Sequence, residues 1–159
     1  MVEDARFEDA GDKPLRLMAA DAEDLQIISS LIQDSVFPVG EMAFHKADRR
    51  FALLLNRFRW EDDTNAERRG RAYERVQAVL SIDDVEAVKS QGIERSDKDM
   101  ILSALALTFE PGEDGTGRLE LTLAGDGALS FDVESLNVTL VDVTRPYVAP
   151  SRARPGHPE

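Results

Sequence analysis

One run constrains this chain more than any other: Arg49-Arg50-Phe51-Ala52-Leu53-Leu54-Leu55-Asn56-Arg57-Phe58-Arg59-Trp60-Glu61. Its first half is apolar at successive positions, which suits a strand covered on both faces. Its second half alternates. Phe58 and Trp60 fall on one side, and Arg57, Arg59 and Glu61 on the other. The run holds the single Trp of the chain. A chain built around such a strand needs a sheet with a well-covered centre.

Elements on either side extend that sheet. Leu15 to Ala19 alternates as a short strand. Asp21 then suits a helix N-cap, and Glu23 and Asp24 in the first turn favour the positive end of the helix dipole. Leu25, Ile28, Leu31 and Ile32 recur at helical spacing, which predicts an amphipathic helix over 22–34. Pro38 and Gly40 mark a turn. Short strand patterns follow at Glu41 to His45, Tyr73 to Ile82 and Val85 to Ile93. Ile101 to Phe109 reads as a strand with Ile101, Leu105, Leu107 and Phe109 on one face. Leu119, Leu121 and Leu123 alternate with polar residues, as do Leu129, Phe131 and Val133. Leu136, Val138 and Leu140 form a last strand, with an irregularity near Glu134-Ser135 that suits a bulge. Leu54, Leu105 and Phe131 are expected in the core.

Length and charge set the outer limits. The chain has 159 residues, 42% of them hydrophobic, which suits one domain with one core. Residues 1–13 read as a flexible leader, 14–143 as the domain, 61–71 as a mobile loop and 144–159 as a disordered Pro/Arg tail. The net charge of −12 opposes association with nucleic acid or anionic membranes. It is uneven. Residues 45–75 hold nine Lys or Arg against six acids, a local +3 that leaves −15 elsewhere. There is no Cys, which excludes disulfide scaffolds, thiolate nucleophiles and cysteine-ligated metals. The acidic N-terminus does not resemble a secretory signal, and no apolar run is long enough for a membrane helix. A cytoplasmic location is therefore expected.

Three segments carry a resemblance. They are Ala22-Glu23-Asp24-Leu25, Arg49-Arg50-Phe51 through Asn56-Arg57-Phe58-Arg59-Trp60-Glu61, and Gly125-Asp126-Gly127 through Asp132-Val133-Glu134. At these the chain resembles a short alphaproteobacterial family known as a domain of unknown function (twenty-nine forty-eight), over about residues 14–143. The resemblance implies a bacterial cytoplasmic setting and a single domain. It brings no activity, cofactor or catalytic residue.

The residues themselves offer little catalytic chemistry. His45 lacks the converging partners of a metal site. No Gly-x-Ser-x-Gly occurs, so a serine hydrolase is not indicated. Gly112, Gly115, Gly117, Gly125 and Gly127 lie between alternating strands, where hairpin turns explain them better than a phosphate cradle. Asp83 and Asp84 suit a turn. No catalytic residue, cofactor or metal site is assigned.

What remains is Asn56, Arg57, Arg59 and Trp60, a candidate interaction surface, because Arg and Trp recur in interface hot spots. The rival account is internal pairing of the two arginines with Glu41, Glu61 or nearby acids. The expected fold is α+β: a mostly antiparallel sheet of six to eight strands, curled into a sandwich or partial barrel, with one N-terminal amphipathic helix. The expected function is a non-enzymatic cytoplasmic binding or assembly protein, serving an unknown protein partner or forming a homodimer. The alternative is a small-molecule-binding protein or enzyme with a pocket between helix and sheet.

Overall fold

The computed structural model describes residues 14–62 and 74–148. The expected leader, the expected loop from 63 onward and the tail from 149 lie outside the described residues. The elements in chain order are β1 (Arg16–Ala19), α1 (Ala22–Leu31), β2 (Val36–Pro38), β3 (Met42–His45), β4 (Arg50–Phe58) and β5 (Glu74–Ile82). Then come β6 (Val85–Gln91), β7 (Ile101–Pro111), β8 (Gly117–Leu123), β9 (Ala128–Val133), β10 (Val138–Asp142) and β11 (Tyr147–Val148).

All eleven strands join one open antiparallel sheet, in the order β1-β10-β5-β4-β2-β7-β8-β9-β6. β3 adds to β4, and β11 adds to β5. Eleven exceeds the six to eight expected. Two of the extra strands, β2 and β11, have three and two residues. Such pieces are too short to show a period and exist through pairing with their neighbours. β11 falls within 144–159, the segment read as a tail, where Tyr147 pairs with Arg75 and Val148 with Glu74.

Register explains the core. Leu53, Leu80, Leu140 and Leu17 lie opposite one another across four strands, and Phe51, Ile82, Val138 and Ala19 form the next row. The sheet folds back on itself so that Phe51 of β4 meets Phe131 of β9, with ring centroids 4.7 Å apart. Both halves thus feed one apolar core.

The helix starts where the sequence predicts. Asp24 N donates to Asp21 Oδ1 at 2.8 Å, a side-chain cap. Leu25 and Ile28 face the core, and the helix packs on β1 and β7. It ends at Leu31 rather than 34. Asp34 is left-handed, its N–H donates to Ala104 O at 2.8 Å, and Ala104 N donates to Ser35 O at 2.8 Å. Pairing with β7 takes the backbone groups that another helical turn would use.

Two core expectations need correction. In β4 the buried apolar residues are Phe51, Leu53, Leu55 and Phe58, while Leu54 is half-buried on the outer face. In β7 a register shift between Ala104 and Ala106 interrupts the alternation. Leu102, Ala104 and Leu107 are buried, Leu105 is half-buried and Ile101 is 61% exposed. Phe131 is buried as expected. The irregularity at Glu134-Ser135 is a crossing rather than a bulge. There Glu134 N donates to Asp84 O at 2.9 Å, and Ser135 Oγ to Asp84 Oδ2 at 2.8 Å. The glycine clusters do make hairpins. Gly125 and Asp126 have φ of 80° and 71°, the successive left-handed residues that a tight β8–β9 turn needs.

The face assignment is testable by urea denaturation. Leu107→Ala should cost about 2–5 kcal/mol, as for a buried leucine. Leu105→Ala should cost about 1 kcal/mol, as for an average substitution. Equal losses would mean that β7 runs in the register the alternation suggests.

Candidate functional site

Arg57 of β4 and Arg59, just beyond its end, point inward. Arg57 is 0% exposed and continues the inward row of Phe51, Leu53 and Leu55. Its Nε and Nη2 donate to Asp142 Oδ1 and Oδ2, both at 2.9 Å. Nη1 and Nη2 donate to Glu61 Oε1 and Oε2 at 2.9 and 2.7 Å. Nη1 also reaches Phe58 O at 3.3 Å. Five donors meet five acceptor contacts, the full capacity of a guanidinium. Burial opposes the charge on Arg57, but the hydrogen bonds and charges of Glu61 and Asp142 outweigh it and hold the guanidinium above its ordinary value. Burial likewise pushes the Glu61 carboxyl up, and Arg57 more than reverses this, leaving it below the usual carboxylate range. Asp142 is also tied to β1: its Oδ2 accepts from Leu15 N at 3.0 Å, and its own N–H donates to Leu15 O at 2.9 Å.

Arg59 is 5% exposed. Its Nη1 pairs with Glu74 Oε1, and its backbone N–H donates to Glu74 O at 3.0 Å. Trp60 is half-buried, donates from Nε1 to Gln33 O at 2.9 Å, and meets Phe58 edge-on with centroids 4.5 Å apart. Asn56 faces the other way, beside Val36 and Gln77. Its Oδ1 and the Oγ of Ser35 are buried without a hydrogen-bond partner. Arg57 and Arg59 therefore form no exposed face. The alternation fails where β4 ends, and Arg57, Phe58 and Arg59 are buried in succession. The rival account holds for Glu61 and not for Glu41. Asp142 and Glu74 were missed. Asp142 carried a signal, since it follows Val138 and Leu140 at the same spacing, a lone carboxylate on an apolar face.

The other candidate residues stay apart. His45 and Glu41 are exposed, and among the described residues no three His, Asp or Glu converge as a metal site. Asp83 pairs with Arg50 at 2.6 Å, and Asp84 takes the left-handed position of the β5–β6 turn.

Two cavities stand out. One, of about 590 Å³, lies over the outer face of β6 to β9 and mixes Lys89 and Arg118 with Glu110 and Glu120. The other, of about 500 Å³, opens between β3 and β6. Met42, Phe44, Phe51, Val88 and Leu129 give it an apolar lining, and Arg95 and Lys98 stand at its rim. Leu25 and Ile28 of α1 are buried in the core, and no residue of α1 lines either cavity.

Residues 15–157 match the family described as protein of unknown function, DUF2948. The chain belongs to this family. No curated protein and no solved structure matched. The family match of this DUF2948 protein takes in Arg57, Glu61 and Asp142 and both cavities. It also runs further into the C-terminal segment than the resemblance at 14–143. Among the described residues, no helix is long and apolar enough to cross a membrane.

The lowered Glu61 carboxyl sets a pH dependence. A depressed carboxyl stabilises the fold fully above its unfolded value, about 4.3, and loses that contribution as pH falls through the folded value. Glu61→Gln should therefore be less stable than the parent at pH 7. The gap should narrow as pH falls below that unfolded value and close once pH has passed through the lower folded value. A gap independent of pH, measured by thermal melts, would show that Arg57 does not depend on the charge of Glu61.

Proposed function

We propose that this DUF2948 protein is a non-enzymatic binding protein of the cytoplasm, and that its ligand enters the cleft between β3 and β6. One observation carries this reading. Phe51 and Leu129 belong to the core, yet they line a cavity of about 500 Å³ that opens between two strand edges. Among the described residues, β3 pairs only with β4, and β6 pairs only with β9 and ends the sheet. Small-molecule sites have this form, an apolar concavity of about 300–1,000 Å³ with a few polar groups at its edge. Arg57 and Arg59 do not enter this reading, because both are buried and paired with acids of the same chain.

A second reading, a homodimer built on the outer face of the sheet, has its own support. Val141, Val79 and Leu54 lie side by side on that face in register, with Arg16 at one end of the row. Leu54 also lies with Pro38 and the exposed Ile101 around one shallow hollow. Met18, one row away, is 67% exposed.

One preparation separates the two. Nile red, a neutral apolar dye, should brighten on the protein with one site per chain. Ser96→Trp or Ala43→Phe, both at the lining of the cleft, should abolish this without lowering the melting temperature. In sedimentation equilibrium the protein should run as a monomer. A dimer that dissociates on Leu54→Lys, with dye binding unchanged by the two cleft variants, would favour the second reading.

A further inference from the structure

We infer that the ligand of the β3–β6 cleft is a medium-chain aliphatic carboxylate whose chain lies on Phe44, Phe51, Val88 and Leu129 and whose head group meets Arg95 and Lys98. This rests on the cleft being a binding site and adds the chemistry of what it binds. The first ground is charge. The protein carries −12, and Arg49, Arg50, Arg57, Arg59 and Arg118 each pair with an acid. Arg95 and Lys98 enter none of the ion pairs among the described residues, and both line this cavity. The acids of the same segment, Glu94, Asp97 and Asp99, do not line it. Glu94 Oε1 accepts from Ser96 Oγ at 2.8 Å, and Asp97 Oδ1 accepts from Asp99 N at 3.3 Å.

The second ground is that the rim is held in place. Gly40 N donates to Lys98 O at 2.9 Å, and Val39 N donates to Met100 O at 2.9 Å. Gly40 is also pressed against Lys98, where an added Cβ would lie 3.3 Å from the Lys98 carbonyl oxygen. The backbone of Lys98 is thus fixed beside Val39, itself part of the lining. The third ground is the combination of surfaces. An apolar floor rejects a small hydrated anion, whose desolvation would go uncompensated there. Two cations at the rim reject an amine. A guanidinium fork and a lysine ammonium suit a carboxylate head, and the unbranched chain fits a lining of aliphatic and phenyl side chains with one adaptable methionine, Met42.

The test displaces Nile red from the full-length protein with hexanoate, octanoate and decanoate, against octylamine and octanol. Affinity should rise about fourfold per added methylene, the ratio equivalent to roughly 0.8 kcal/mol of buried CH₂. Octylamine should bind at least about tenfold more weakly than octanoate, a loss of about 1.4 kcal/mol. The double variant Arg95→Gln, Lys98→Gln should weaken octanoate by a similar factor and leave Nile red binding and the melting temperature unchanged. Arg95→Glu alone should have the same sign of effect. Equal displacement by octanoate and octylamine, or undiminished octanoate binding by the variants, would overturn the assignment. If Nile red binds and octanoate does not compete, the carboxylate assignment fails while the cleft stands. If Nile red itself does not bind, the cleft reading fails as well.

Discussion

A guanidinium with no access to water is the constraint on which much of this fold depends. Removing a charge of that size from water costs several kcal/mol, and only close, complete pairing offsets it. Arg57 meets that requirement with two carboxylate forks and one carbonyl. Each partner fixes a different piece of chain. Asp142 ends β10 and, through Leu15, holds the start of β1. Glu61 sits in the turn that follows β4, and the adjoining Trp60 reaches Gln33 just beyond α1. The outer strand, the helix end and the central strand are therefore referenced to one side chain.

The two ends of β4 have opposite character. Arg57 closes one end with ionic and polar contacts. Phe51, six residues earlier and about 20 Å away along an extended strand, lines the apolar cleft at the other. The cleft exists because β3 and β6 are edges that do not pair with each other. A rigid, fully satisfied end leaves the open end as the place where the core can be reached from outside.

Much of the scaffold was legible in the sequence. Asp21, Glu23 and Asp24 announced the helix start, and strict alternation announced β8 and β9, because both signals are local. The ion-pair network was not legible, since Arg57 and Asp142 lie 85 residues apart. Alternation did assign Arg57 and Arg59 to one face, but it could not say that their donors would be met from inside. Leu105 was misplaced because a single register shift in β7 turns the following side chains to the other face. β2 escaped notice because its pairing with β7, rather than its composition, makes it a strand. The cleft was hidden for a similar reason. Its walls come from β3 and β6, and its cations from the unpatterned stretch before β7, so only the topology brings them together.

Arg57 and Asp142 should act as one unit, and a double-mutant cycle on unfolding free energy tests this. Arg57→Met and Asp142→Leu should each cost about 3–5 kcal/mol, because the first leaves Asp142 without its cation and the second leaves the buried Arg57 with Glu61 alone. The double variant, which removes both charges, should lose far less than the sum, with a coupling of at least about 2 kcal/mol. Losses that add to within about 0.5 kcal/mol would show that the two side chains contribute independently, and would contradict the account.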